Sequence, residues 1–512
     1  MKTKRLPLLD FVNHKFHTPT WLFFVLSIVF ILRIPSFFEP YSYGDEMIYL
    51  TLGEAIRRGI PLYSGIHDNK PPLLYIIAAI SGSLFWFKAM LAIWNILTIF
   101  LFWKLVQALF PKRIRLHKVV TSIFAILTTI PLLEGNIVNA ELFMIGTTIA
   151  AFLVLLTRKL NFKNLFFAGM LFSFSALFKI PAAFDLPVII FAWLIFMKKT
   201  ARKDILKIGV SSLFLIAGFL TPILITFVWY YLRGAFNQYL VAAFLQNVGY
   251  LSSWRPSDVE KSFLVRNAPL LQRILVVLLG MVILYWKRGK LSQQFIFTTL
   301  WLLFSLFAVT LSERPYPHYL LQSVGPISIL LGLLFSNKNY EQVLVIIPLT
   351  LAFFVPVYYK FWYYPTTTYY ARFVKLSIGK ITKEEYLSTF GNQVPRNYKI
   401  ANYIISSSRP DDKIFVWGDS SPIYALARRL PPGKYVADYH IKDFSSPAET
   451  AAILTLEMPS FIVILPASQE FPEIKNLLFK NYGKVEEVEG AQIWKLLKPT
   501  LRGLNNFNFS VK

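Results

Sequence analysis

Long apolar runs broken by short polar or basic stretches fill the chain from residue 21 to residue 361. A run of roughly 18 or more apolar residues can cross a bilayer as a helix. The first such run covers 21–38. Others follow at 89–110, 119–133, 142–157, 165–179, 182–197, 208–232, 268–286, 295–312, 319–336 and 343–361, about eleven crossings in all. Lys2, Lys4, Arg5 and Lys15 precede the first run and no small-residue cleavage site follows it. It therefore reads as a retained anchor, not as a secretory signal. Residues 73–87 (LLYIIAAISGSLFWF) are also apolar enough to span. Counting them as a crossing would reverse the side of every later loop, so an interfacial helix is expected there, with a re-entrant half-span as the alternative.

Beyond about residue 395 the period shortens. Strand-like runs at 413–418, 435–438, 461–465 and 492–496 alternate with helical stretches at 421–429, 447–456 and 472–482. Strands separated by helices of this length predict a small α/β sheet. No nucleotide-binding glycine fingerprint sits at the strand ends. The fold class expected is thus a polytopic α-helical membrane protein with a small C-terminal α/β domain. Its parts are a membrane domain over 1–361, a connector over 362–394, the α/β domain over 395–498 and a tail over 499–512.

Composition supports the membrane reading and orients it. Of 512 residues 55% are hydrophobic and only 16% charged, against roughly 25% in soluble domains. Cysteine is absent, which excludes disulfides, thiolate chemistry and a Cys-built zinc site. The net charge of +25 does not point to nucleic acid, because the basic residues are dispersed. Clusters at 112–118, 158–163, 198–207 and 287–290 fall in every second loop, as cytoplasmic loops require. A multi-pass plasma (inner) membrane protein follows, with a cytoplasmic N-terminus. The loops 39–88, 134–141, 179–181, 233–267 and 312–318, and everything beyond 362, are expected outside the cytoplasm.

Candidate chemistry gathers in those outward loops. Asp45 and Glu46 follow Gly44 directly after the first run. A carboxylate at this boundary can serve as a general base on a hydroxyl group, or merely favour a helix N-terminus. His67, Asp68, Asn69 and Lys70 precede Pro71-Pro72 and the helix expected at 73–87. Lys70 would stand at that helix's positive end, suited to a phosphate, or reach the lipid headgroups. The 233–267 loop, with Phe236, Tyr239, Phe244, Tyr250 and Trp254, reads as surface helix.

The layout GDEMIYLTLGEAIRRGIPLY followed by DNKPPLLYI, with Asn139-Ala140-Glu141, an outward turn containing Lys179, and RPYPHYLLQSVGP from Arg314, resembles the GT-C superfamily of polyprenyl-phosphate-sugar glycosyltransferases. Within it, the bacterial relatives of protein O-mannosyltransferases and the transferases that add aminoarabinose to lipid A are most alike. The resemblance covers the membrane part to about residue 360. It implies a hexosyl or pentosyl transfer from a polyprenyl-phosphate sugar, with inversion, to a hydroxyl of an envelope glycolipid such as lipopolysaccharide, a polysaccharide or a protein. Asp45 matches the catalytic acid, with Glu46 beside it. Lys70, Lys179, Arg314 and His318 match positions that would hold the donor phosphate, and Asp68 and Glu141 would position the acceptor or a metal. Glu141 is longer than the aspartate often met there. The carboxylates would serve a divalent cation or a metal-free site, and the sequence assigns no metal or cofactor.

Two other classes fit a polytopic chain. A transporter or flippase of lipid-linked glycans keeps ionisable groups near the bilayer midplane. Here Lys104 and Asp185 are the main ones inside runs. An inactive scaffold would keep the fold and present the C-terminal domain.

Overall fold

The computed structural model describes residues 18–197, 202–249, 262–336, 340–466 and 468–497. Lys2, Lys4, Arg5, Lys15, Lys198, Tyr250, Trp254 and the tail at 499–512 lie outside the described residues. The chain divides into two compact units, Met1–Glu39 with Asn69–Lys380, and Pro40–Asp68 with Ile381–Lys512.

The first unit is helical. Among the described residues eight of its helical segments are long and apolar enough to cross a membrane, from Thr20–Phe38 through Leu84–Leu109, Ala140–Thr157, Arg202–Leu232, Phe263–Lys287, Gln293–Thr310 and Pro317–Phe335 to Tyr340–Tyr358. Shorter apolar helices are Phe162–Phe178, Ile180–Phe196 and Phe236–Leu245. The run expected at 119–133 folds as the 14-residue helix Ile114–Leu127, and Pro131 opens a 3₁₀ turn beyond it. The chain is a multi-pass membrane protein.

Residues 73–87 do not form one helix. Leu73–Ser81 is a nine-residue helix, roughly 13 Å long and too short to cross. Gly82 ends it at φ 69°, a left-handed turn that glycine adopts without a Cβ clash. The next helix begins at Leu84, so the span expected from 89 starts five residues earlier. In the 233–267 loop, Phe236–Leu240 runs into a π-helical turn, Val241–Leu245, and the helix Gln246–Gly249.

Packing inside this unit is aromatic and close. Phe152 meets Phe172, Phe297 and Trp301 edge-on, with centroids 5.0–5.2 Å apart. The helices Phe162–Phe178 and Arg202–Leu232 touch backbone to backbone. A Cβ on Gly169 would strike the Leu215 carbonyl, and one on Gly218 the Phe166 carbonyl. Near the first span, Glu39 accepts from Lys88 Nζ (2.8 Å), Asn136 Nδ2 (2.7 Å) and the Tyr369 hydroxyl. The Glu39 and Lys88 side chains are 4% and 0% exposed, so this is a buried ion pair with its other lone pairs satisfied.

The second unit is built on a four-stranded sheet in the order β1-β2-β4-β3. β1 (Ile414–Trp417) and β2 (Phe461–Ile464) are parallel, while β4 (Ala491–Leu496) runs antiparallel to both β2 and β3 (Tyr482–Val488). Phe415, Trp417, Ile462, Leu454 and Leu478 form its core with the flanking helices. One sequence expectation needs correction and one strand goes unforeseen. The run at 435–438 is not a strand: Tyr435 makes a single bridge to His67, and Asp438 opens the helix Asp438–Phe444. β3 follows the expected helix at 472–482, which the structure forms. The helix ends at Asn481, and β3 is an edge strand rich in Lys and Glu, which lacks the apolar alternation of a buried strand. Glu489 and Gly490, at φ 49° and 80°, make the tight turn into β4.

Segment 40–68 packs within this second unit. Its main element is the helix Gly44–Arg57, which lies against Ser421–Ala427.

Candidate active site

The first unit brings three sequence candidates and one unforeseen residue, Glu134, into a polar cluster. Glu141 stands in the first turn of Ala140–Thr157, and Lys179 ends the helix Phe162–Phe178. His318 lies on the 3₁₀ turn Pro317–Leu320. Lys179 Nζ pairs with Glu141 Oε1 and sits 3.5 Å over the centre of the Tyr319 ring. His318 Nδ1 meets the Glu134 carboxylate, and its Nε2 lies 3.9 Å from Glu141. Asn139 Nδ2 donates to Glu134 at 3.3 Å. Glu134, Glu141 and His318 are all buried.

Sequence reasoning missed Glu134. It adopts a left-handed backbone at φ 59°, uncommon for a residue with a Cβ. Such strain persists where neighbours impose it and concentrates at functional sites. The following Gly135 has no room for a side chain, since a Cβ would lie 2.7 Å from the Thr129 carbonyl carbon. The Glu-Gly pair at the start of an acidic loop was the available signal.

Chemically the cluster is a set of oriented polar groups. Two carboxylates hold one lysine and one imidazole in place. Each of them thus keeps a fixed position in a low-dielectric setting, where charge stabilisation counts most. Arg314 is exposed on the same loop, four residues before His318. Lys70 is half-buried, and its backbone N–H donates to the Tyr75 hydroxyl at 3.1 Å. The helix that follows starts at Leu73 with Pro72 as its cap, so Lys70 precedes the cap instead of sitting in the first turn. Asn247, just past the π-helical turn, donates to the Asn69 carbonyl at 3.0 Å.

The remaining candidates fall in the second unit. Asp45 and Glu46 occupy the first turn of Gly44–Arg57, where a helix favours negative charge. Asp45 is half-buried and accepts from the Tyr49 hydroxyl one turn on, at 3.0 Å, while Glu46 is buried. Asp419, on the turn leaving β1, feels the carboxylates of both Asp438 and Asp45. Its pKa is raised, first by loss of water and then by these two charges, with Lys442 opposing. Asp438 is itself paired with Lys442 at 3.0 Å. Asp68 is buried with its Oδ1 3.6 Å from His440 Nε2, and the His67 ring packs edge-on to Tyr435 and Phe444. Among the described residues no three His, Asp or Glu side chains are grouped so as to hold a metal ion.

No family model matches the chain, and no curated protein matches it. Solved structures do. The crystal structure of ArnT from Cupriavidus metallidurans, bound to undecaprenyl phosphate, superposes with a TM-score of 0.52 over 93% of this chain and 97% of that one, at 10% identity. The archaeal oligosaccharyltransferase AglB from Archaeoglobus fulgidus, in complex with an inhibitory peptide and a dolichol-phosphate, gives 0.42 over 87% and 69% at 13% identity. The chain shares its fold with ArnT along nearly its whole length.

Proposed function

We propose that this chain is a membrane glycosyltransferase that takes a hexosyl or pentosyl group from a polyprenyl-phosphate donor and passes it to a hydroxyl of an envelope glycolipid, polysaccharide or protein. The observation that carries the reading is the fold shared with ArnT across 93% of the chain, together with the carboxylate-held side chains of Lys179 and His318. ArnT was captured with undecaprenyl phosphate, and a lipid phosphate is the leaving group such side chains suit.

In this reading Asp45 takes the proton of the acceptor hydroxyl. The acceptor oxygen bonds to the anomeric carbon, and the bond from that carbon to the phosphate oxygen breaks with inversion. The electron pair leaves on the lipid phosphate. Lys179 and the His318 ring act on the developing charge, with Lys70 and Arg314 as further cations. Glu141 and Glu134 keep the first two oriented, and Glu46 and Asp68 support the acceptor side. The same reading places about eleven crossings in the plasma membrane, with the N-terminus cytoplasmic. Asp45 and the C-terminal α/β unit stand on the outer face, where the basic clusters at 112–118 and 158–163 would exclude them from the cytoplasm.

The test is a transfer assay on membranes carrying wild-type or Asp45→Ala protein, with a panel of radiolabelled polyprenyl-phosphate sugars and mass spectrometry of the product. Loss of the base lowers the rate about 10²–10⁴-fold. Transfer by the variant at the wild-type rate removes Asp45 as base. Absence of transfer from every donor by wild type, with glycolipid transport intact, favours a transporter.

A further inference from the structure

We infer that the C-terminal α/β unit positions the base, and that Ser421 is the positioning residue acting on Asp45. The inference rests on the reading of Asp45 given above and adds to it a residue distant in sequence.

Ser421 Oγ donates to the Gly44 carbonyl at 2.9 Å, across 377 residues of chain. Gly44 directly precedes Asp45 and opens its helix. Ser421 is 3% exposed and stands at the first position of its own helix, Ser421–Ala427. Here the start of Ser421–Ala427 receives no side-chain cap from Ser420, and the Ser421 hydroxyl is spent on the turn that carries Asp45.

Five further ties hold segment 40–68 to the same unit. The Tyr41 N–H donates to the Tyr398 hydroxyl at 3.1 Å. Arg58 donates to the Pro410 and Arg428 carbonyls at 3.0 and 2.9 Å. The His67 N–H donates to the Lys434 carbonyl at 2.8 Å, and Asp68 approaches His440. These fix where the segment lies. The Ser421 bond grips the residue beside Asp45, while Tyr49 holds the carboxylate from within the helix. Backbone is thus pinned from one side and the side chain from the other. The chemistry of a base depends on such placement, since a displacement of about 1 Å can cost on the order of 10²-fold in rate.

The experiment compares full-length Ser421→Ala, Ser421→Thr and Asp45→Asn proteins, with the Ser421→Ala/Asp45→Asn double variant, in the transfer assay. Ser421→Ala is expected to lower kcat about 10-fold with KM nearly unchanged. Threonine restores the hydroxyl and recovers most of the rate. In the Asp45→Asn background the alanine substitution has no further effect, because its influence passes through Asp45. Wild-type kcat in Ser421→Ala, equal loss in the alanine and threonine variants, or full additivity with Asp45→Asn each overturns the inference. Unchanged transfer by Asp45→Asn itself would instead overturn the reading on which it rests.

Discussion

Glu39 and Lys88 are the clearest case of a side chain whose meaning depends on its partner. Each alone, in an apolar unit, is costly to bury. Together, with Asn136 and Tyr369 filling the remaining lone pairs, they form a satisfied pair. Lys88→Met leaves Glu39 buried without its cation and is expected to destabilise the protein by about 3–5 kcal/mol. Combining it with Glu39→Gln should recover much of that loss in thermal or denaturant unfolding of the solubilised chain. An equal loss in single and double variants would show that packing, not charge, is at stake. The sequence offered Lys88 only as a polar interruption of an apolar run. Glu134 was silent for a similar reason: its importance lies in His318, 184 residues away, and in a strained backbone that no local pattern announces. Asp45 stood out because it directly follows the first apolar run, whereas Lys179, Glu141 and His318 were singled out by the family resemblance of the motifs that hold them.

At the scale of elements, the apolar runs translated into helices almost directly, because a segment surrounded by hydrocarbon must satisfy its backbone internally. What periodicity missed were the breaks. Gly82 divides 73–87 into a short helix and the start of the next, and the charged edge strand β3 lacks a buried face. The contact between Phe162–Phe178 and Arg202–Leu232 was equally invisible. Two glycines, Gly169 and Gly218, let the backbones touch, as small residues do at interfaces between membrane helices. Gly169→Ala and Gly218→Ala each force the helices apart and are expected to cost about 1–3 kcal/mol, read as a lowered Tm of the solubilised protein. A pair of variants as stable as wild type would mean that the two backbones do not meet there.

For the whole molecule, the notable feature is how the chain is shared out. Segment 40–68 leaves the first helix, joins the second unit, and returns at Asn69. Its hydrogen-bond partners include Tyr398, Pro410, Ser421, Arg428 and Lys434, all far along the sequence. Truncation after Lys380 removes every one of these partners. In the intact chain, trypsin should cut slowly at Arg57 and Arg58. In the truncated chain, these sites should be cleaved readily, as a segment without its packing opens locally. Equal protection in both would show that segment 40–68 holds its own structure.

Sequence by itself determined that this is a membrane protein, where most of its helices run, and that acidic and basic residues collect at the ends of those helices. These follow from the cost of placing charge and unsatisfied backbone in hydrocarbon, which acts on each short stretch separately. Only the tertiary structure decided which charges meet: Glu134 with His318, Glu39 with Lys88, and Ser421 with the turn that bears Asp45. Those pairings join residues 49 to 377 positions apart, and only the folded chain brings them within hydrogen-bonding range.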